Sequence, residues 1–133
     1  MSRASALARG RAMAEASMVD TCTIVRITGT STNATTGVVT EIWSTVYNGA
    51  CRLQERGGYP RDVNVAPDQP QLAVARELQL PVSTSGSVRA NDRVTITACV
   101  NDAAMVGRMF WLRGQPSKSE ATARRFHTEE IAA

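Results

Sequence analysis

Apolar and polar residues alternate with a period of two over most of this chain. Thr21-Cys22-Thr23-Ile24-Val25-Arg26-Ile27 is β-branched and predicts a strand. Thr28 to Gly37, built of Thr, Ser, Asn and Gly with little else, predicts a loop or wide hairpin. Val38 to Tyr47 returns as a strand and runs into Asn48-Gly49. Asn-Gly between two alternating apolar runs is a strong hairpin signal, because both central residues of a type I′ turn need positive φ. A second strand, Ala50-Cys51-Arg52-Leu53-Gln54, is therefore expected to fold back from that turn.

The pattern then lapses through Arg56, Gly57, Gly58, Tyr59, Pro60, Arg61 and Asp62, and on to Pro67-Asp68-Gln69-Pro70. An irregular stretch of that length is uncommon in a small domain and usually marks a functional arm or a disordered segment. Alternation resumes with Leu72, Val74, Leu78, Leu80 and Val82 on one face, interrupted by Arg76. Ala73, Ala75, Glu77 and Gln79 take the other face, as in a half-buried strand. Ser83 to Ser87 and Asn91-Asp92 read as turns, the latter leading into the strand Arg93 to Val100. Gly107 opens a strand over Arg108 to Arg113, which Gly114 and Pro116 end. Thr122 to Thr128 reads as a last strand.

Only the N-terminus departs from this rhythm. Ser2 to Met18 is rich in Ala, Met, Leu and Arg and predicts a helix capped by Ser2 or Ser5. Leu7, Ala14 and Met18 share a narrow apolar face that Gly10 interrupts. So little apolar surface leaves the helix dependent on a partner surface, or frayed in the free protein. Arg3, Leu7, Arg9, Arg11 and Met18 are the residues with which such an arm would dock. The whole is expected to be mainly β, a small barrel or sandwich over 19–133. It carries a helical arm over 1–18 and one long projecting loop over 55–71.

Composition adds limits to this picture. At 133 residues the chain fits one domain. Its net charge of +3 is uneven: residues 1–17 carry +2 and the rest only +1, so the body is nearly neutral. Fourteen of the 15 basic residues are Arg, the exception being Lys118. No apolar run approaches the roughly 20 residues of a membrane span, so no membrane partner is expected. The Arg- and Ala-rich start lacks the contiguous apolar core of a signal peptide, which makes cytoplasmic synthesis the expectation. Cys22, Cys51 and Cys99 lie in predicted strands without CxxC spacing, and His127 is the sole histidine, so neither a metal site nor a disulfide is expected.

Catalytic signatures are lacking: the sequence holds no phosphate-binding loop, dinucleotide fingerprint or nucleophile elbow. Glu129 and Glu130 are adjacent on a strand and point to opposite faces, so they do not converge on a substrate. No catalytic, cofactor-binding or metal-binding residue is assigned, and no cofactor is expected. Trp43, Tyr47, Phe110, Trp111 and Phe126 beside many arginines have the composition of a base-stacking platform. Five aromatics barely fill one barrel, however, and they are expected in the core.

One resemblance runs through nearly the whole chain. It is carried by Met18-Val19-Asp20-Thr21-Cys22-Thr23-Ile24, the Thr36-Gly37 loop before Trp43, and Val46-Tyr47-Asn48-Gly49-Ala50-Cys51-Arg52-Leu53-Gln54. It continues through Leu78-Gln79-Leu80-Pro81-Val82, Val88-Arg89-Ala90-Asn91-Asp92-Arg93-Val94, Val106 to Gly114, and Ala123-Arg124-Arg125-Phe126. This ordered series resembles the phage head-to-tail connector proteins, of the stopper or head-completion type, found in siphophages infecting actinobacteria. The resemblance implies a non-enzymatic β-barrel that assembles as a six- or twelve-fold homo-oligomeric ring at the head–tail junction of the virion, after synthesis in the host cytoplasm. It implies a portal–adaptor complex on the head side and a tail terminator or tail tube on the other. By the same resemblance, the loop Gln54–Leu72 faces the channel or the neighbouring ring, with nonspecific contact to packaged DNA. A tail terminator, another minor tail component and a nucleic-acid-binding module are the alternatives.

Overall fold

The computed structural model describes residues 2–55 and 76–131. Helix α1 (Arg3–Ala16) is followed by strands β1 (Asp20–Thr32), β2 (Val39–Glu55), β3 (Arg76–Leu80) and β4 (Arg93–Ala98). A 3-10 turn (Ala103–Met105) separates these from β5 (Met109–Arg113) and β6 (Arg124–Glu130). The six strands close a barrel in the order β1-β2-β3-β6-β5-β4, every pairing antiparallel. Closure pairs each barrel strand on both sides over part of its length, which shortens the free edges that would otherwise template aggregation. The expected mainly β fold, a barrel rather than a sandwich, with an N-terminal helix, is what the chain adopts.

The core holds Cys22, Ile24, Tyr47, Cys51, Leu78, Leu80, Val88, Val94, Ile96, Phe110, Leu112 and Phe126. Along β4 and β5 the burial alternates residue by residue, as a barrel wall requires. Strand β3 departs from the half-buried reading. Glu77 and Gln79, expected outside, are only 8% and 6% exposed. The Gln54 and Gln79 amides meet at 2.9 Å, and Arg125 lies 3.7 Å from Glu77, so neighbouring polar side chains cover that face.

The Asn48-Gly49 hairpin is not formed. Strand β2 passes straight through, with Asn48 opposite Thr23 and Gly49 opposite Cys22. Neither residue has positive φ. Two competing contacts outweigh the local turn preference. A turn there would strip β1 of the partner with which it pairs from Asp20 to Thr32. In addition, the Tyr47 hydroxyl reaches over Gly49 to donate to the Ala50 carbonyl, and a Cβ on Gly49 would sit 3.2 Å from that hydroxyl. Gly49 is thus the space that lets a buried tyrosine fold along its own strand.

The true hairpin turn lies earlier. Asn33 N–H donates to the Val38 carbonyl, Gly37 N–H donates to the Asn33 carbonyl, and the Asn33 side chain accepts from Thr35 N–H. Gly37 has φ +70°, the left-handed geometry that glycine adopts without steric cost. Residues 28–32, expected in a loop, therefore belong to β1. A register shift between Ile27 and Gly29 absorbs Thr28 as a bulge, and pairing with Val39–Ile42 carries the ribbon on. Strand β4 pairs with β1 only as far as Val25, and β3 pairs with β2 only from Arg52. The far half of the β1–β2 hairpin consequently extends beyond the barrel as a two-stranded ribbon. The expected long loop at 55–71, apart from Glu55 at the end of β2, lies outside the described residues.

Candidate functional site

Three features of the barrel surface stand out among the described residues. The first is the projecting ribbon. Ile27, Val38, Val39 and Ile42 are 42%, 57%, 60% and 48% exposed, with Trp43 half-buried at the ribbon base. Exposed apolar side chains grouped on a projection are a common mark of an interaction surface. At its base, Arg26 donates through Nε and Nη2 to the two carboxylate oxygens of Asp92, each at 2.8 Å, and through Nη2 to the Ser87 carbonyl at 2.7 Å. Asp92 is 2% exposed and also accepts from Arg89 N–H at 2.9 Å. The hydrogen bonds to Asp92 raise the Arg26 pKa and hold the guanidinium charged. This pair pins the 87–92 turn to β1 just where the ribbon leaves the barrel.

The second feature corrects an expectation about the aromatics. Tyr47, Phe110 and Phe126 fill the core, but Trp43 and Trp111 lie half-buried on the outer wall. The register shift between Ile24 and Val25, which passes over Val46, turns Trp43 outward. The Arg93 guanidinium stacks 4.0 Å from the Trp43 ring centroid, and Arg113 lies 5.9 Å from that of Trp111. Arg93 Nε is buried and makes no hydrogen bond, and no carboxylate among the described residues pairs with Arg93. Arg113, by contrast, is held by Glu129 and Asn91.

The third feature is a pocket of about 110 Å³ at the end of the barrel from which the ribbon projects. It is lined by Val82, Pro116, Lys118, Ala121, Ala123, Arg124 and Arg125. Arg124 Nε donates to Ser85 Oγ at 3.0 Å, and Ser85 in turn donates to the Pro81 carbonyl, which fixes the arginine against the 81–85 turn. A shallower groove of about 360 Å³ lies along Tyr47–Ala50, against Glu15 and the 81–84 turn.

Helix α1 braces the wall of the smaller pocket. Ser2 caps the helix through its side chain on Ser5 N–H, as one of the two expected caps. Arg3 pairs with Glu120 at 2.8 Å, and Arg11 Nε donates to the Ala121 carbonyl at 3.1 Å. Gly10, which the sequence marks as an interruption, is a point of close approach: a Cβ there would fall 2.8 Å from the Thr122 methyl. Leu7 and Ala14 are half-buried on the same side, Arg9 is exposed, and Met18, just past the helix, is 5% exposed. No residue within the helix is fully buried, so its hold on the barrel is polar and slight. The expected site residues Arg56 to Asp62 lie outside the described residues.

At the opposite end, Glu130 accepts from Arg108 at 2.7 Å and from Arg76 at 2.6 Å. Hydrogen bonds from Arg108, then the charges of Arg108 and Arg76, hold the Glu130 carboxyl below the usual range. Inside the barrel the Cys22 thiol is pushed far up by its hydrogen bond with Cys51 and by burial. Cys22 and Cys51 are fully buried free thiols, and Cys99 is half-buried.

The ribbon apolars, Arg93, and the placing of Lys118 and Arg124 on one pocket were not foreseen from the sequence. A signal for the ribbon was present: Val38, Val39 and Ile42 make the apolar run longer than a barrel wall needs. None existed for the pocket, which joins segments more than 30 residues apart. No curated protein and no solved structure matches the chain. Residues 10–129, from within α1 through nearly all of β6, match DUF6093, a family of unknown function, and the chain belongs to it.

Proposed function

We propose that this chain is a structural subunit of the phage neck: a non-enzymatic head-to-tail stopper that closes the filled capsid and presents a docking surface to the tail. The observation that carries the reading is the apolar ribbon. A barrel closed strand to strand offers few free edges, so a ribbon that projects beyond it, with exposed apolar side chains and outer edges unpaired among the described residues, is the feature best suited to assembly. Here the β1–β2 ribbon leaves Ile27, Val38, Val39 and Ile42 exposed beyond the barrel. Heterologous contacts of this kind, a knob on one subunit against a different surface of the next, generate rings when the rotation closes. The ordered resemblance along the sequence supports the same reading. Synthesis in the host cytoplasm, a homo-oligomeric ring, and contacts with a portal–adaptor complex and a tail terminator or tail tube belong to this proposal.

Cryo-electron microscopy of the neck of the virion encoding the chain tests it. A ring of these barrels below the adaptor is the expected result. A position on the tail side of another stopper makes it a terminator, and absence from the particle overturns the structural role.

A second reading, contact with single-stranded nucleic acid, is favoured by the Trp43–Arg93 and Trp111–Arg113 pairs on the outer wall. Aromatic and arginine side chains together form such surfaces. It predicts binding to an oligonucleotide that weakens steeply with salt and is lost in a Trp43→Ala variant.

A further inference from the structure

We infer that the pocket between the 81–85 turn and the 116–125 segment is a recognition site for the carboxylate of an acidic side chain on a partner protein. Three of its seven lining residues are cationic (Lys118, Arg124 and Arg125) and none is acidic. No carboxylate among the described residues pairs with Lys118 or Arg124. Arg125 follows Arg124 on β6 and so turns to the opposite face of the strand, where it lies 3.7 Å from Glu77. The remaining lining residues, Val82, Pro116, Ala121 and Ala123, are apolar.

That combination selects the ligand. At about 110 Å³ the pocket is well below the roughly 300 Å³ at which small-molecule sites begin, so a nucleotide does not fit but one side chain does. Apolar walls suit the methylenes of a glutamate, with Lys118 and Arg124 taking its charge. A phosphodiester backbone has no apolar stem to fill such walls, which disfavours nucleic acid here. The Arg124 guanidinium is already oriented by Ser85 Oγ and the Val82 carbonyl, so little side-chain entropy remains to be lost on binding.

The pocket is also coupled to the N-terminal arm. Ala121 forms part of its wall and accepts from Arg11 of α1, while Gly10 abuts Thr122. A ligand in the pocket therefore holds the wall that the helix grips, so occupancy and helix docking favour each other. This site stands independently of the neck assignment: it specifies what the pocket recognises, whichever assembly the chain serves.

The test is backbone-amide NMR of the full chain titrated with acetyl-Val-Ala-Glu-Ala-Val-amide and, in parallel, with the same peptide carrying Gln in place of Glu. The expected result is saturable shifts confined to Val82–Ser85, 116–125 and the α1 amides, produced by the Glu peptide alone. Arg124→Gln is expected to weaken binding about tenfold, the usual cost of one charge-assisted contact. Because Arg124 is half-buried and holds the 81–85 turn, the exposed Lys118→Gln provides a second variant that leaves the fold intact, with weaker binding again expected. Equal binding of the Gln peptide, or no shifts at these residues, overturns the inference. So does an oligonucleotide that displaces the Glu peptide from the pocket at moderate salt.

Discussion

Replacing Arg26 by Ala is expected to destabilise the barrel by about 3 kcal/mol, and the figure follows from what remains behind. Asp92 is 2% exposed and accepts two charged N–H groups from Arg26 and one backbone N–H from Arg89. Removing the arginine leaves a buried carboxylate with one donor. Breaking a buried pair in this way costs about 3–5 kcal/mol. The Arg26 side chain is 29% exposed, so solvent screens part of the loss and the lower end applies. The bond to the Ser87 carbonyl goes as well, which loosens the 87–92 turn. Asp92→Asn keeps the shape and the bond from Arg89 N–H, and should cost about 1–2 kcal/mol. In the Asp92→Asn background, Arg26→Ala no longer strands a charge, so the double-mutant cycle should show a coupling of about 2 kcal/mol. Urea denaturation followed by far-ultraviolet circular dichroism measures all four corners. In thermal melts the Arg26→Ala shift should be roughly 10 °C, given about 4 °C per kcal/mol for a domain of this size. Strict additivity of the two substitutions would refute the reasoning, because it would mean that Asp92 is not held by Arg26.

Three further outcomes are expected. The Glu130 carboxyl titrates below its ordinary value of 4.5 because Arg108 and Arg76 favour its charged form. Its stabilising contribution is therefore complete above about pH 4.5 and is lost as pH falls through the lower folded value. Glu130→Gln should flatten the acid limb of the stability–pH curve in that window, and an unchanged limb would count against the triad. Gly10→Leu drives a side chain into Thr122, so hydrogen exchange of the α1 amides should accelerate while barrel stability changes by less than about 1 kcal/mol, since α1 has no buried residue. Under native conditions a chromogenic aromatic disulfide should react with Cys99 alone of the three thiols, with Cys22 and Cys51 responding only after unfolding; rapid reaction of all three would contradict their burial.

The legibility of the fold was uneven for specific reasons. Positions that report their own burial, such as Val94, Ile96, Phe110 and Leu112, stand out in the sequence because a barrel wall needs strict alternation. Asn91 and Gly107 mark a turn and a strand start, and both do take positive φ, at 74° and 89°. Local signals mislead where two partners compete for one segment. Asn48-Gly49 carries a sound turn signal, and only the pairing of β2 with β1 overrides it. Trp43 departs from expectation differently: a single bulge at Val46 reverses which face it occupies, and no sequence period reveals a bulge.

The sequence by itself therefore determined the class of fold, the helical arm with its serine cap, and the strand positions after residue 76. These depend on properties that each residue carries locally: branching, φ preference, and apolar character at a fixed period. Tertiary structure alone decided barrel closure, the reach of the β1–β2 ribbon, the Arg26–Asp92 pin, and the gathering of Lys118, Arg124 and Arg125 about one pocket. Each of these joins groups far apart in the chain, and their energies exist only once the strands have closed and brought them within a few ångströms of one another.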